Sequence, residues 1–424
     1  MQIYVILFSG DFMFDYNEAV NYIHSFLKFG VKPGLERISL LLNELGNPQN
    51  DLKFLHVAGT NGKGSTSTML SEILIDAGYK TGLYTSPYVF DFNERIRVNS
   101  QNIPNDDLAA LISRIEPVIT RLNKKGVVIT EFEIITAAAL LYYKEQNCDY
   151  VVLEVGLGGR FDATNIISKP EVSVITSISY DHINILGSTI EEIAFEKCGI
   201  IKENSRVVTS SLQNQDALKV IKDISSQKNA QLFIADYNCV EILSQSIKGT
   251  DFLYKGTPYS ISLVGMHQIE NAVAVIEAAN LIKGVTLTNI QNGIKNTVMK
   301  ARMELIGENI LIDGGHNEEC AEALKAVIKS YLSDKNITAV IGMMADKECE
   351  KYLKNILPLC DSVVFTKPDN PRSEEPEKLA EKAKLYIKKI AIENNPKIAY
   401  YKTIEQAEFT LVCGSFYLIS DIFN

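Results

Sequence analysis

The run Gly59-Thr60-Asn61-Gly62-Lys63-Gly64-Ser65 is the stretch of this sequence best suited to chemistry. Glycines let backbone N–H groups close on phosphate oxygens, and a helix N-terminus behind them adds partial positive charge. Lys63 would bring a full charge to the β- and γ-phosphates, and Ser65 a hydroxyl beside a metal ion. The bland alternative is a tight glycine turn with a solvated lysine. The setting favours the phosphate cradle, because an apolar run at 53–58 (KFLHVA) precedes the loop and a helical pattern from about Ser65 follows it. The spelling departs from the generic G-x-x-x-x-G-K-[ST] loop: Val57 stands five before Gly62, and Gly64 follows Lys63. That argues against an ordinary GTPase or motor loop.

Ser86, Glu154 and His182 each fall just past an expected strand. In α/β sheets, ligands gather at the carboxyl ends of strands. A hydroxyl, a carboxylate and an imidazole there could complete a Mg²⁺ shell together with phosphate oxygens and water. Singly, the glutamate would be a surface charge and the histidine a satisfied, partly buried ring. Lys197, read alone, is a solvated charge in the last turn of a helix, where it complements the dipole.

Stepping along the chain, short apolar runs alternate with longer segments of 3.6-residue period, which predicts parallel sheets with crossover helices. Strands are expected at 53–58, 150–155, 172–178, 206–209 and 231–235. Helices are expected from Ser65 to the stop at Gly78, over 134–146, 189–198 and 216–228, and from His267 to Ile282. A second series begins near residue 309. Its strands are 309–313, 337–342, 362–366, 397–401 and 409–413, and its helices 318–331, 347–357, 376–391 and one at the end. Only residues 402–408 separate its last two strands, whereas a parallel crossover normally needs about 10–12. Either that crossover helix is a single turn or one strand is misread.

At 424 residues the chain exceeds the roughly 250–300 that one core comfortably serves, so two domains are expected. Residues 1–12 read as an N-terminal extension, 13–298 as the domain carrying the loop, and 299–424 as a smaller α/β domain, the boundary falling around 296–303. Apolar residues make up 46% and charged residues 22%, which is globular composition. A net charge of −10 disfavours nucleic acid as a partner. Seven scattered cysteines with no C-x-x-C pair argue against a disulfide framework or a zinc ribbon. No apolar run reaches the ~20 residues of a membrane span, and residues 1–13 lack the basic start and cleavage site of a signal peptide. A cytoplasmic enzyme with reduced thiols and no membrane partner is expected.

The loop spelling GTNGKGS resembles the folylpolyglutamate synthase and dihydrofolate synthase family of the Mur ligase superfamily. Matching segments follow in order from about Met13: Leu35-Glu36-Arg37, Tyr84-Thr85-Ser86-Pro87, Asn93-Glu94-Arg95-Ile96-Arg97, Thr130-Glu131-Phe132-Glu133, and Glu154 to Arg160. Asp162 to Asn165, Asp181-His182, Glu196 to Ile200, His267-Gln268 with Asn271, Asp313-Gly314-Gly315-His316-Asn317, and Gly414-Ser415 complete the series. Each is weak alone; the ordered set is specific. Departures are Gly315, where the family more often has Ala, Tyr88, where it often has His, and Lys300-Ala301-Arg302, which lacks the family's usual glycine.

The resemblance implies a P-loop Mur-ligase-like ATPase domain followed by a Rossmann-like glutamate ligase domain, working as a monomer. It implies ATP on Asn61, Gly62, Lys63, Gly64, Ser65, Asn271, Arg302 and Asp313. It implies Mg²⁺ at two sites held by Ser86, Glu154, His182 and Lys197, with Lys197 carbamylated by CO₂. That chemistry requires a neutral amine, so burial must lower its pKa. Thr130, Phe132 and Glu133, with Arg160 nearby, would face the pterin, and His316 and Ser415 the glutamate. Phe132 could equally be core and Glu133 a helix N-terminal charge, and His316 or Ser415 could simply cap the helix that follows. The implied reaction joins L-glutamate to dihydropteroate or to the γ-carboxylate of a reduced folate through an acyl phosphate, with Lys63, Lys197 and His182 in catalytic roles. A cell-wall or cyanophycin ligase of the same superfamily would normally carry a further N-terminal domain, for which the loop at Gly59 leaves no room. A P-loop NTPase switch would have no need of Glu154, His182 and Lys197. The motifs are shared by dihydrofolate and polyglutamate synthesis and leave open which is catalysed.

Overall fold

Short apolar runs become central strands here because both faces of the large parallel sheets are covered. The computed structural model describes residues 13–30 and 32–424; the expected N-terminal extension, residues 1–12, lies outside the described residues. The first sheet holds β1 (Phe54–Ala58), β2 (Thr81–Tyr84), β3 (Ile96–Val98), β4 (Gln101–Asn102), β5 (Tyr150–Glu154), β6 (Val172–Ile175), β7 (Arg206–Ser210) and β8 (Gln231–Ala235). Their order is β4-β3-β2-β5-β1-β6-β7-β8. The β2–β3 and β3–β4 pairs are antiparallel and the rest parallel. All five residues of β1 are buried, as a central parallel strand demands. Its partners are β5 (Leu55 opposite Val152) and β6 (Leu55 opposite Val172). The ends of β5 and β6 therefore flank the loop that leaves β1.

That loop feeds the helix Lys63–Asp76, which is buried on nearly all sides between the sheet and the helices Met266–Ala279 and Leu287–Asn296. Such all-round burial explains its lack of a polar face. A small antiparallel sheet, β9 (Val240–Ser246), β10 (Gly249–Tyr254) and β11 (Thr257–Ile261), lays Phe252, Tyr254, Tyr259 and Ile261 on the same core.

The third sheet holds β12 (Glu304–Ile306), β13 (Ile310–Asp313), β14 (Ile337–Ile341), β15 (Ser362–Phe365), β16 (Ile390–Ile392) and β17 (Phe409–Cys413), in the order β12-β13-β17-β14-β15-β16. Strand residues alternate between two cores. Leu311, Ala339 and Leu411 pack with the helices Glu318–Tyr331, Cys349–Ile356 and Pro376–Ala383; Ile312, Val340 and Val412 pack with Pro396–Ile404 and Phe416–Phe423.

The short crossover resolves as a misread strand. Residues 397–401 belong to the helix Pro396–Ile404, whose start is capped by the Asn395 Oδ1 accepting the Ile398 N–H at 3.0 Å, with Pro396 at the first helical position. The expected helix 376–391 stops at Ala383, and its tail supplies β16, which pairs in parallel with β15. Residues 393–408 then give ample room to return to β17. Among the described residues, no helix is long and apolar enough to cross a membrane.

Candidate active site

The carboxyl ends of β1, β5, β6 and β13 open on one cleft with about 1220 Å³ of empty space, part of it facing solvent. The phosphate loop forms its floor. Gly62 takes φ +82°, and a Cβ there would lie 2.3 Å from the Asn271 Oδ1, so only glycine fits. Asn271 is buried and donates to the Gln268 Oε1 at 3.2 Å.

Two lysines meet at one carbonyl. The Lys63 Nζ donates to the Gly59 O at 3.1 Å and the Thr60 O at 2.8 Å, while the Lys197 Nζ donates to the same Gly59 O at 2.7 Å. Burial lowers the Lys63 amine against the pull of Glu154 and Asp181. Burial, joined by the Lys63 charge, brings the Lys197 amine down to about 7. Lys197 is only 4% exposed, and its neutral form is substantially populated near neutrality.

Glu154, at the end of β5, is buried, and its Oε2 accepts the Ser86 N–H at 3.0 Å. Burial raises its pKa, opposed by Lys63 and by that N–H. A Cβ on Gly64 would lie 3.7 Å from both carboxylate oxygens, so Glu154 faces the first turn of the loop helix, where Ser65 is also buried. A buried carboxylate with a single N–H donor and hydroxyls beside it suits a hard divalent cation. Among the described residues, no three His, Cys, Asp or Glu side chains converge as a metal cluster.

His182, with φ +49°, turns its Nε2 to 3.6 Å from the Asp181 Oδ2. Burial lowers the imidazole. Burial would raise the Asp181 carboxyl, but His182, Lys347, His316 and Lys197 outweigh it and hold it below the usual range. From the third sheet come Arg302, stacked over the Phe416 ring at 4.5 Å, and Asp313. Ala301 and Met303 on either side of Arg302 have φ +56° and +49°. The left-handed turn that glycine would allow at 301 is thus present with alanine. Asp313 accepts the Met303 and Gly315 N–H groups at 3.2 and 3.1 Å; burial raises it to about 6 despite Arg302. His316 lines the cleft, lowered by burial to about 4.

The structure thus brings Asn61, Gly62, Lys63, Gly64, Ser65, Ser86, Glu154, His182, Asn271, Arg302, Asp313 and His316 to the cleft lining, with Lys197 against Gly59. The other expected residues lie outside that lining. Thr130 donates its N–H and Oγ1 to the Glu133 Oε2, both at 2.8 Å, in a capping box, and the Glu133 Oε1 pairs with the Arg37 Nη2 at 3.1 Å. Phe132 sits directly behind Gly156, where a Cβ would fall 2.5 Å from its ring. Arg160 faces outward, paired with Glu196 at 2.6 Å and lying over Phe161 and Phe195. The Ser415 Oγ accepts the Tyr417 N–H at 3.0 Å as a helix cap. Glu319 and Cys320 also line the cleft and were not singled out from the sequence, while Asp181, His267 and Asn317 line it as motif residues with no role of their own assigned from the sequence. The Asn61 Nδ2 donates to the Glu319 Oε2 at 2.6 Å across 258 positions, a pairing with no local signal.

Comparison with known proteins shows the family. The Mur ligase middle domain matches residues 57–279, and the Mur ligase glutamate ligase domain residues 301–416. The dihydrofolate synthase/folylpolyglutamate synthase of Bacillus subtilis is 37% identical over 96% of this chain and 98% of its own length. The folylpolyglutamate synthase of Thermotoga maritima superposes with a TM-score of 0.84 at 34% identity, covering 96% of this chain and 95% of that one. The FolC protein of Escherichia coli, solved in complex with DHPP and ADP, superposes with a TM-score of 0.83 at 28% identity, covering 96% and 97%. The chain belongs to the dihydrofolate synthase/folylpolyglutamate synthase family of the Mur ligases.

Proposed function

We propose that this protein uses ATP to activate the carboxylate of dihydropteroate, or the γ-carboxylate of a reduced folate, and joins it to the amine of L-glutamate. The observation that carries the reading is the phosphate loop, with Lys63 at its centre, sharing one cleft with Glu154, Arg302 and Asp313. Residues 13–298 are taken as the ATP-binding domain and 299–424 as the glutamate ligase domain.

In the first step a carboxylate oxygen bonds to the γ-phosphorus of ATP while the bond to the β-phosphate oxygen breaks, releasing ADP. Asn61, Gly62, Gly64 and Ser65 hold the phosphates, and Lys63 leaves its loop carbonyls to follow the charge. Asn271 holds the adenine, and Arg302 and Asp313 the remainder of the nucleotide. Glu154, Ser86 and His182, with Lys197 as its carbamate, would hold Mg²⁺. When bound, Mg²⁺ would supply charge that neutralises the phosphates. A neutral Lys197 amine is what addition to CO₂ requires, and its lowered pKa supports that modification.

In the second step the glutamate amine attacks the acyl carbon, phosphate leaves, and the nitrogen gives up a proton. No protein nucleophile takes part. His316 and Ser415 are assigned to the glutamate side. The acceptor side is assigned to Phe132, packed behind the cleft-lining Gly156 and carried on a helix whose start is set by Thr130 and Glu133, and to Arg160. The acyl phosphate must be kept from water, which the two-lobed cleft favours. The deciding experiment measures phosphate release from Mg-ATP and L-glutamate with dihydropteroate or a reduced folate. Release with both means a bifunctional enzyme, and release with one assigns the acceptor. Release with neither, in a protein that binds ATP, would overturn the reading.

A further inference from the structure

Glu319 stands in the first turn of the helix Glu318–Tyr331, on the third-sheet side of the cleft, yet its hydrogen-bond partners all belong to the phosphate-loop side. Its Oε2 accepts from the Asn61 Nδ2 at 2.6 Å and the Ser179 Oγ at 2.5 Å, and its Oε1 from the Ser177 Oγ at 3.1 Å. The Asn61 amide is fully engaged from the same direction, because its Oδ1 accepts from the Asn317 Nδ2 at 3.1 Å and the Cys320 Sγ at 3.5 Å. Asn61 lies inside the loop, while Ser177 and Ser179 follow β6 and lead to Asp181. A carboxylate with three donors is far stronger than an exposed surface pair, since hydrogen bonds to charged groups are worth more than neutral ones.

We infer that Glu319 is a positioning residue that ties the third-sheet lobe to the phosphate loop, so that the loop takes its working shape only while the two lobes are closed. The attachment is short and three-pronged: one prong ends on Asn61 in the loop, and the other two end on Ser177 and Ser179 in the segment after β6. Opening the cleft must break all three bonds and free the Asn61 side chain at the same moment. The loop would thereby sense the position of the other lobe, and the acyl phosphate would form only in a cleft already shut to water. Lys347, on the third-sheet side, lies 3.8 Å from Asp181 and reinforces the same closure from the far end of that segment.

The turnover part of the test rests on the ligase reading above; the structural part does not. Glu319→Ala removes all three acceptor contacts, and Glu319→Gln keeps one acceptor oxygen while discarding the charge. Amide exchange over residues 59–65 and the radius of gyration from X-ray scattering are measured on the full chain without nucleotide. Faster exchange and an expanded particle are expected for Ala, with Gln between Ala and the parent. In turnover, kcat should fall about 10- to 100-fold, with little change in the KM for ATP. Phosphate released per amide formed should rise above one, because water reaches the intermediate. Unchanged exchange, scattering and phosphate-to-amide ratio in both variants would overturn the inference. Altered exchange and scattering in a protein that forms no amide with any acceptor would leave the tie standing and the ligase reading refuted.

Discussion

Replacing Lys197 with Met removes an amine and keeps the length of the side chain. In the fold this amine lies at about 7, against 10.5 ordinarily, through burial and the neighbouring Lys63 charge. Across that window the unfolded chain holds a proton that the folded protein lacks. The unfolded state therefore binds more protons, stability rises with pH from about 7 to 10.5, and below 7 the penalty is at its full size. Three and a half decades of proton affinity, at about 1.4 kcal/mol each, set the penalty on the order of 5 kcal/mol. Roughly 2 kcal/mol of it is relieved between pH 7 and pH 9. The hydrogen bond to Gly59, worth about 1 kcal/mol, is lost in the variant at every pH and leaves the slope untouched. The assay is urea unfolding of both proteins at pH 7, 8 and 9, in EDTA and CO₂-free buffer. The variant should gain on the parent at pH 7 and give back roughly 2 kcal/mol of that gain by pH 9. Parallel stability curves would mean that Lys197 is charged in the fold, and the case for its carbamate would lose its premise.

Lys63→Ala should lower amide formation by on the order of 10²–10³-fold or more, with the unfolding transition kept; full turnover would sink the phosphate-loop assignment. Gly315→Ala would place a Cβ 2.7 Å from the Cys320 Cβ and 2.6 Å from the Asp313 Oδ2, and should cost about 1–3 kcal/mol by calorimetry. Adding Cys320→Gly should recover part of that loss beyond additivity, and strict additivity would refute the coupling. Thr130→Ala should cost about 1 kcal/mol by breaking the capping box, with little effect on acceptor KM; a large KM change with unaltered stability would place Thr130 on the substrate instead.

What was legible in the sequence was what is local. The phosphate loop, the central strands and the helix behind Gly62 each announce themselves within a few residues. The run KIAYY at 397–401 misleads because its apolar and aromatic residues suit a strand; Asn395 and Pro396 just before it are the helix-start signal that outweighs them. The edge strand β16 is three residues long and only partly buried, too short to show a period. The hairpin at Lys255-Gly256, with φ +50° and +75°, carries a turn signature that composition hides. Contacts such as Asn61 with Glu319 depend on how two lobes meet, and no spacing rule reaches across them.

The departure at Gly315 acquires a cause in the same way. A Cβ on residue 315 would fall 2.6 Å from the Asp313 Oδ2 and 2.7 Å from the Cys320 Cβ, so the space beside Gly315 is already taken.

The order of strands in the first sheet also bears on synthesis. β1 is among the first strands to leave the ribosome, yet both its partners, β5 and β6, lie roughly a hundred residues further on. Throughout that interval a segment destined for complete burial has neither edge paired, and such edges invite association between nascent chains. The nucleotide cradle is therefore written early and assembled late, and a chain halted before residue 150 would carry the motif without the means to shape it.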